Sequence, residues 1–404
     1  MGGSRRGTLL LLLLLLTLGV VRPQKGMLPR SLPALQRDAV ARAGLSAAVL
    51  AGFVSGGRPS LAAAAAGGNN GLCSCSAGGV LTGRRGSSPC RCSPPQSVGQ
   101  EAVAEQIDSV SKGYFYNPRN ERIYDCKKKS FIPAHPEAYL SKELLSGRQA
   151  VVVGEIHSNR CHHHAEFEIL RSLSEFQPSG KLAIGLECFY RQHQNALDDF
   201  VFSHQNMGKL KQAVNWMSTW GYDLNYYSKI FQFCALNRIR LVGLNVPYQV
   251  VQLVGLEGYD GLPSQLKSLM PALDLDNKQH RQQFIEAITG AGSTDEHNTK
   301  SDSLQRMYEA QTLWDEYMAE SAAFYIKSNP SHLLLVIAGV GHVLGRSGIP
   351  DRIQKRSHSK NPPFVILPQQ VGWQEASGLP DITVPLTIAE CDWAWYTEGA
   401  LPRA

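Results

Sequence analysis

The sequence predicts an α/β protein: a three-layer sandwich with a mainly parallel central sheet, helices on both faces and a helical insertion. Two observations predict this fold class. Short runs rich in Val, Ile and Leu lack the polar alternation of half-exposed strands, so they fit strands buried on both faces. Amphipathic helical stretches separate the runs, and this alternation of strand and helix favours parallel strands joined by right-handed crossovers.

Five apolar runs predict the strands. They are QAVVVGEI, KLAIGLECF, IRLVGLNV, HLLLVIAGV and PFVILP, at residues 149–156, 181–189, 239–246, 332–340 and 363–368. The chain has 404 residues and is 43% hydrophobic, so it can bury at least one large core around such a sheet.

Helices are predicted around these strands. Stretches with apolar stripes occupy residues 162–178, 191–202 and 224–238. The longest predicted helix begins with a cap at Asp302 or Ser303 and ends at Pro330. Residues 247–300 predict the helical insertion, with a mobile polar loop near its end.

Residues 1–100 predict a targeting leader and a disordered linker, and residues 101–404 a folded domain with a C-terminal extension. A basic start and an apolar run of about a dozen residues fit a signal peptide and are too short to span a bilayer comfortably. The following stretch is basic, nearly free of acids and rich in Ala, Ser and Gly, which is typical of an organellar transit peptide. We expect delivery to a plastid, with the secretory pathway as the alternative, and no stable transmembrane span in the mature chain.

The leader also carries the positive charge of the chain. Residues 1–100 hold eleven Lys and Arg and one acid, so the other 304 residues have a net charge of −4 within the total of +6. The folded part therefore gives no indication of a nucleic-acid partner.

The cysteines do not predict a disulfide framework. Four of the nine lie in the leader, and the other five are scattered at Cys126, Cys161, Cys188, Cys234 and Cys391. An odd, unpatterned set argues against paired bridges in the folded part.

Polar residues follow the predicted strands at the edge where open α/β sheets bind ligands. The first strand is followed by Glu155 and His157, the second contains Glu187, and the fourth is followed by His342. Two imidazoles and two carboxylates are therefore expected to meet at one edge of the sheet. Further residues at or after the strand ends are Tyr190, Gln194, Asn245, Tyr248 and Gly341.

Several of these residues also have a purely structural interpretation. Glu155 could cap a helix, and His157 could be a hydrogen-bonded core imidazole. Glu187 is harder to explain in this way, because a carboxylate inside AIGLECF is almost never buried without a partner. By default, Asp315 and Glu316 in the long helix belong to a solvated face or a salt bridge.

Three consecutive histidines, residues 162–164, open the first predicted helix. Consecutive helical residues point about 100° apart, so the three cannot all face one ion. One of them is expected to reach the site.

Five motifs occur in the order VVVGEIHSNRCHHHAEFEILRSL, AIGLECFYRQHQNALDDF, WGYDLNYYSKIFQFCALNRIRLVGLNVP, EAQTLWDEYMAESAAFYI and LLLVIAGVGHVLGRSGIPDRI. Together they resemble the ChaN-like haem-binding uptake proteins of the Tiki superfamily. The resemblance implies an α/β sandwich like that of ChaN and the erythromycin-esterase-like proteins. It also implies paired Gly-x-x-His motifs, here at residues 154–157 and 339–342, with an intervening glutamate, Glu187. The tail DWAWYTEG resembles that of plastid-type relatives in plants and algae, which favours the plastid interpretation.

The resemblance implies a non-enzymatic haem or tetrapyrrole binder that acts in haem or iron handling, with a homodimer as one expected state. An aromatic crevice would stack the macrocycle, and a Tyr or His would bind the iron. Expected cofactor contacts are His163, His164, Tyr190, Gln194, Asn245, Tyr248 and Gly341. Candidate propionate partners are Arg160, Arg191 and Arg346. Candidate iron ligands are Tyr114, Tyr116, Tyr124 and the histidines of residues 162–164.

The alternative is a metal-dependent hydrolase of protease or esterase type. His157, Glu187 and His342 would hold a divalent ion such as zinc or manganese and lower the pKa of a bound water. Together with Glu155 they would be the catalytic residues, one carboxylate acting as general base. A third interpretation, in which the strand-end residues are remnants in an inactive scaffold, also stays open.

Overall fold

The computed structural model describes residues 122–132, 140, 145–289, 302–371, 373–374, 379–380 and 389–398. The predicted leader over residues 1–100 lies outside these residues. So do two of the candidate iron ligands, Tyr114 and Tyr116, and most of the polar loop predicted near the end of the insertion.

The strands are β1 (Arg122–Asp125), β2 (Ser130–Phe131), β3 (Ala150–Glu155), β4 (Leu182–Tyr190), β5 (Arg240–Asn245), β6 (Leu333–Gly339), β7 (Phe364–Val371), β8 (Trp373–Gln374), β9 (Leu379–Pro380) and β10 (Trp393–Glu398). The helices are α1 (Arg160–Phe176), α2 (Gln194–Phe202), α3 (Met207–Ala213), α4 (Trp216–Thr219), α5 (Asn225–Leu236), α6 (Tyr248–Glu257), α7 (Ser264–Lys267), α8 (Lys278–Thr289), α9 (Asp302–Ser328) and α10 (Ile349–Ser357). Short 3-10 turns follow β4 at Arg191–His193 and β6 at Val340–His342.

Eight strands form one sheet in the order β2-β1-β10-β7-β3-β6-β4-β5. The six strands from β10 to β5 are parallel, whereas β1 and β2 join the edge in antiparallel pairs. A separate antiparallel pair is formed by β8 and β9. The prediction of a mainly parallel sheet is confirmed.

The central strands are buried on both faces, which explains their lack of polar alternation. In β3, Val151 and Val153 pack into one core and Val152 into the other. Helices α1, α2 and α5 cover the first face, and α6, α9 and α10 cover the second. These are the three layers that the sequence predicts.

The predicted insertion is helical in the described residues, where it forms α6, α7 and α8. Helix α8 packs on the start of α9 through a small core of Phe284, Leu304 and Tyr308. Within the described part of the chain, no helix combines the length and apolar character that a membrane crossing requires.

Three strands of the main sheet were not predicted from the sequence: β1, β2 and β10. The predicted C-terminal extension contributes β10, which lies inside the sheet between β7 and β1. Its six residues, WAWYTE, pair with β7 in parallel and with β1 in antiparallel register.

The strand order brings the residues of the candidate site together. β6 pairs with β3 on one side and with β4 on the other, and Glu155 lies opposite Gly339 in the register. The carboxyl ends of β3, β4 and β6 therefore form one continuous edge.

Candidate functional site

A buried polar centre occupies this edge, which we define as Glu155, His157, Glu187, His342 and Asp315. The exposed fraction of each residue is between 0% and 4%. The first four are the residues that the strand-end pattern predicts to converge, and the fifth comes from α9. Buried ionisable groups need partners, and each of these side chains has at least one.

Glu155 accepts hydrogen bonds from His157 and from a tyrosine hydroxyl. The distance from His157 Nδ1 to Glu155 Oε1 is 2.6 Å, and the hydroxyl of Tyr227 donates to the same oxygen at 2.6 Å. Burial raises the pKa of Glu155, but the nearby His163 and His157 lower it to about 2. Glu155 therefore carries a charge that orients the His157 ring.

His342 lies between two carboxylates. Its Nδ1 is 2.5 Å from Oδ1 of Asp315, and its Nε2 is 3.5 Å from Oε1 of Glu187. Burial lowers the pKa of His342, but the charges of Glu187 and Asp315 raise it to about 10. The imidazolium form is thus favoured at neutral pH.

Asp315 and Glu187 each use the carboxylate oxygen that does not face His342 to bond to a further group. Nε2 of His280, from α8, lies 2.7 Å from the second oxygen of Asp315. The backbone N–H of Gly339 donates to Glu187 at 2.6 Å. Although burial raises both carboxyl pKa values, the neighbouring His342 and the hydrogen bonds lower them below their ordinary range. The centre therefore holds fixed charges at fixed positions.

Gly339 leaves space for the His157 ring between β3 and β6. A Cβ atom at this position would lie 3.0 Å from Cε1 of His157 and 3.4 Å from an oxygen of Glu187. The Nε2 side of His157 accordingly faces Gly339 and Glu187. An imidazole held by a carboxylate at Nδ1 can accept or deliver a proton at Nε2, or bind a metal there.

A second buried group, the α1 cluster, is formed by Glu155, His163 and Glu166. Nδ1 of His163 is 2.9 Å from Oε2 of Glu166 and 3.3 Å from Oε2 of Glu155. Burial, together with the charge of Glu155, raises the pKa of Glu166 to about 8. Burial lowers the pKa of His163, but the two glutamates raise it to about 9.

The three consecutive histidines point in different directions, as the helical geometry predicts. Asn159 caps α1 by accepting the N–H groups of Cys161 and His162. Nδ1 of His162 accepts the N–H of Ile156 at 3.1 Å, whereas His164 lies 3.8 Å from Glu168. Burial lowers the pKa of both rings, of His162 to about 4 and of His164 to about 3. His163 alone among the three faces the carboxylates of the centre.

Three half-buried aromatic residues lie over the centre, and we call Trp220, Tyr222 and Tyr226 the aromatic cluster. The Trp220 and Tyr222 rings are centred 4.6 Å and 5.1 Å from the His157 ring. Tyr226 stacks on His163 at 5.2 Å. The guanidinium of Arg160 lies 5.6 Å from the Tyr226 ring.

Two of the predicted cofactor contacts, Gln194 and Asn245, bond to the backbone. Gln194 bonds to the backbone of Leu241 and Gly243, and so joins the start of α2 to β5. The Asn245 side chain donates to the carbonyl of Glu187 and accepts the N–H of Val246. These bonds occupy both polar ends of each amide, which favours a structural role.

The remaining predicted contacts lie around the edge. The hydroxyl of Tyr190 accepts the N–H of Tyr248 at 3.2 Å. Tyr248 is half-buried, and Gly341 is exposed in the turn that carries His342. Their role in cofactor binding stays a prediction.

Two of the arginines proposed for propionates are in ion pairs. Arg191 pairs with Glu320 on α9, and Arg346 pairs with Asp392, which precedes β10. Arg160 is exposed beside the aromatic cluster.

The metal trio predicted from the sequence differs from the geometry that the structure offers. Among the described residues, the set of three ligand atoms that lies within 4.8 Å is Glu155, His163 and Glu166. His157, Glu187 and His342 are neighbours in the polar centre, but they do not form such a set.

Asp315, His280, Tyr227 and Glu166 were missed from the sequence. Asp315 was expected on a solvated face or in a salt bridge: the first expectation is wrong, because the residue is fully buried, and the second is confirmed by its pairs with His280 and His342. One signal was available: a carboxylate inside the apolar stretch TLWDEYMA needs a buried partner for the same reason as Glu187. Glu316 does form the expected ion pairs, with Arg352 and Arg356.

Known proteins resemble this chain in sequence and in structure. Residues 142–353, just over half of the chain, match the family described as haem-binding uptake, Tiki superfamily, ChaN. Among solved structures, the chain is similar to ChaN of Campylobacter jejuni, described as binding haem cofacially, with a TM-score of 0.50 and 18% identity over 69% of this chain and 97% of that one. No curated protein matches.

Two further solved structures are similar. One is a mutant of the erythromycin esterase EreC in its open conformation, with a TM-score of 0.36 and 14% identity over 59% of this chain and 76% of that one. The other is the type III effector HopBA1, with a TM-score of 0.30 and 9% identity over 62% and 87% of the respective chains.

The resemblance seen in the five motifs is thus confirmed by the family match, and the similarity to the C. jejuni structure shows the shared fold. The chain belongs to the haem-binding uptake family of ChaN, in the Tiki superfamily.

Proposed function

We propose that this chain binds haem on the aromatic cluster at the carboxyl edge of the sheet, and that it acts in haem or iron handling. Membership of a haem-binding family supports the proposal. The observation in this chain that carries it is the aromatic cluster itself. Haem is a flat apolar ring with two carboxylates and an iron, so its site needs an apolar surface, a cation and an iron ligand.

The aromatic cluster and the neighbouring Arg160 together offer all three. Trp220, Tyr222 and Tyr226 are half-buried, so part of each ring faces solvent. Arg160 stands beside Tyr226 as a partner for a propionate. Within the described residues, no hydrogen bond joins the hydroxyl of Tyr222 or Tyr226 to another residue, so neither oxygen has to give up such a bond to bind iron.

These tyrosines are better placed than the ligands expected from the sequence. Tyr124 lies in β1, which β10 and β7 separate from β3, and this corresponds to about 14 Å at the usual strand spacing. His162 and His163 are buried, with ring nitrogens bonded to the backbone. Tyr222 and Tyr226 replace them as the proposed ligands.

Hemin titration of haem-free protein tests the proposal. We expect a saturable Soret band, and at least about tenfold weaker binding with an altered band in Tyr222→Phe or Tyr226→Phe, because the ring stays and the ligand oxygen is removed. Tyr259→Phe is the matched control, since Tyr259 lies at the turn between α6 and α7 and bonds to Pro271. Glu187→Gln should also keep the band.

The absence of a saturable Soret band in the wild type would overturn haem binding. An unchanged band and affinity in both Phe variants would overturn this location for the haem. Sedimentation with and without hemin adds the oligomeric state: cofacial binding, as described for the C. jejuni protein, supports a homodimer as the loaded form.

A second candidate, hydrolysis, is favoured by a different observation. The polar centre contains two imidazoles held by carboxylates, His157 by Glu155 and His342 by Asp315. In this candidate His157 takes a proton from water at Nε2, and the positive charge of His342 stabilises a developing oxyanion.

The variant His157→Asn tests the hydrolytic role separately from haem binding. A hydrolase would lose activity on small ester substrates while hemin binding stays unchanged. Equal rates in the wild type and His157→Asn would exclude this role for the polar centre.

A further inference from the structure

The α1 cluster contacts the aromatic cluster where His163 stacks on Tyr226, and neither the haem proposal nor the hydrolytic one uses Glu166. We propose that Glu155, His163 and Glu166 bind one divalent first-row transition-metal ion, zinc or manganese, through Nδ1 of the histidine and one oxygen of each carboxylate. The site differs from the metal trio predicted from the sequence, and it does not depend on haem binding.

The spacing of the ligand atoms fits such an ion. Nδ1 of His163 is 2.9 Å from Oε2 of Glu166 and 3.3 Å from Oε2 of Glu155. Two ligands about 2.1 Å from a common zinc, at angles between octahedral and tetrahedral, are about 3.0–3.4 Å apart. All three ligand atoms lie within 4.8 Å of one another. The side chains thus need little movement to share an ion.

Two carboxylate oxygens in the cluster have no hydrogen-bond partner. These are Oε2 of Glu155 and Oε1 of Glu166, on residues that are 2% and 0% exposed. Leaving a buried carboxyl oxygen without a hydrogen bond costs about 1–3 kcal/mol, so a native structure usually supplies a donor, a shared proton or a cation. A divalent ion would give Oε2 of Glu155 a partner and would neutralise the charge of both carboxylates.

Residues around the cluster orient its ligand side chains through hydrogen bonds, as they do around known metal sites. Nε2 of His163 lies 2.9 Å from the carbonyl oxygen of His157, so an N–H there leaves the lone pair of Nδ1 for the metal once the imidazolium has released its other proton. Metal-bound histidines almost always donate their other ring N–H in this way. Glu155 is fixed in turn by the Tyr227 hydroxyl at 2.6 Å.

The donor set indicates the class of metal. One imidazole and two carboxylates suit zinc, manganese or ferrous iron better than calcium, which prefers oxygen ligands alone. Three protein ligands also leave a coordination position for water or for a ligand that enters from the aromatic cluster.

Metal analysis of the purified, haem-free full chain tests the site. We expect about one zinc or manganese ion per chain in the wild type, with the metal lost in Glu166→Gln, which keeps the shape and removes the charge. Glu168→Gln is the matched control, because Glu168 is on the same helix but pairs with Arg171 outside the cluster. Tyr227→Phe should weaken metal affinity about 10–100-fold through its contact with Glu155.

A second measurement keeps the test decisive if Glu166→Gln does not fold. Chelator-treated wild-type protein is titrated with zinc and with manganese, and both the heat of binding and the melting temperature are recorded. Saturation near one ion per chain and a raised melting temperature support the site. If neither ion binds, a shared proton holds the cluster together and the proposal is overturned. Hemin titration of the same samples shows separately whether haem binding holds.

Discussion

The charge state of His342 should control the stability of the protein at alkaline pH. Its folded pKa of about 10 lies above the ordinary 6.5, because Glu187 and Asp315 outweigh burial. A group with a raised pKa contributes its full stabilisation below pH 6.5 and loses it as the pH rises through 10. We therefore expect the free energy of unfolding from urea melts to fall over this range.

Asp315→Asn isolates the contribution of His342. The variant removes one of the two carboxylates, so the free energy of unfolding at pH 6.5 should fall by about 3–5 kcal/mol, and its decline toward alkaline pH should be shallower than in the wild type. His163 and Glu166 also have raised pKa values, so the comparison with the wild type is what identifies His342. The control is Asp199→Asn, at an exposed position of α2. Parallel pH curves for Asp315→Asn and the wild type would contradict the assignment.

The convergence of Glu155, His157, Glu187 and His342 could be predicted because each lies within a few residues of the carboxyl end of a strand that is buried on both faces. Such a position is fixed by topology, which the apolar runs reveal. Asp315 and Glu166 reach the same region from helices, and whether a helical carboxylate faces a sheet edge depends on how the helix packs. That information lies in tertiary contacts, so local sequence pattern could not supply it.

At the scale of elements, Gly243 shows how closely β4 and β5 approach. The register between them shifts between Leu186 and Tyr190, and the carbonyl oxygen of Tyr190 comes to lie over Gly243. A Cβ atom at Gly243 would be 2.3 Å from that oxygen, so the backbone would have to move.

Gly243→Ala should therefore destabilise the protein by about 1–3 kcal/mol, measured as the shift in urea midpoint. Gly255→Ala is the opposite case, because Gly255 lies within α6 and a Cβ there meets no atom within 4 Å. Alanine should gain about 0.5–1 kcal/mol at this helical position. If Gly243→Ala left the urea midpoint unchanged, β4 and β5 could move apart at this position without loss of stability.

The elements that were predicted and those that were missed differ in a physical way. β3, β4, β5, β6 and β7 carry continuous Val, Ile and Leu runs because helices cover both of their faces. β1 and β2 are only four and two residues long, too short to give a periodic signal. β10 alternates its side chains between two cores and is rich in aromatic residues, so it lacks the continuous Val, Ile and Leu run of the central strands. Its place in the sheet becomes clear only from its pairing with β7 and β1.

At the scale of the whole molecule, β10 links both cores and the loop that carries His342. Trp393 and Trp395 pack into one core, and Ala394 and Tyr396 into the other. Just before the strand, Asp392 accepts the N–H of Val365 and pairs with Arg346, four residues after His342. The C-terminal strand thus joins the edge hairpin of β1 and β2 to the rest of the sheet.

A chain that ends after residue 388 should lose cooperative folding, whereas a chain that ends after residue 398 should keep it. The shorter chain lacks five side chains of β10 that are at most 3% exposed and leaves β7 and β1 without their shared neighbour. Each lost large core side chain costs about 2–5 kcal/mol, and the sum exceeds the total stability of a typical domain. Near-ultraviolet circular dichroism and urea melts of the two chains measure the difference. If the shorter chain unfolded cooperatively at the midpoint of the longer one, β10 would be dispensable, and the geometry of the His342 loop would have to be held by α9 and α10 without it.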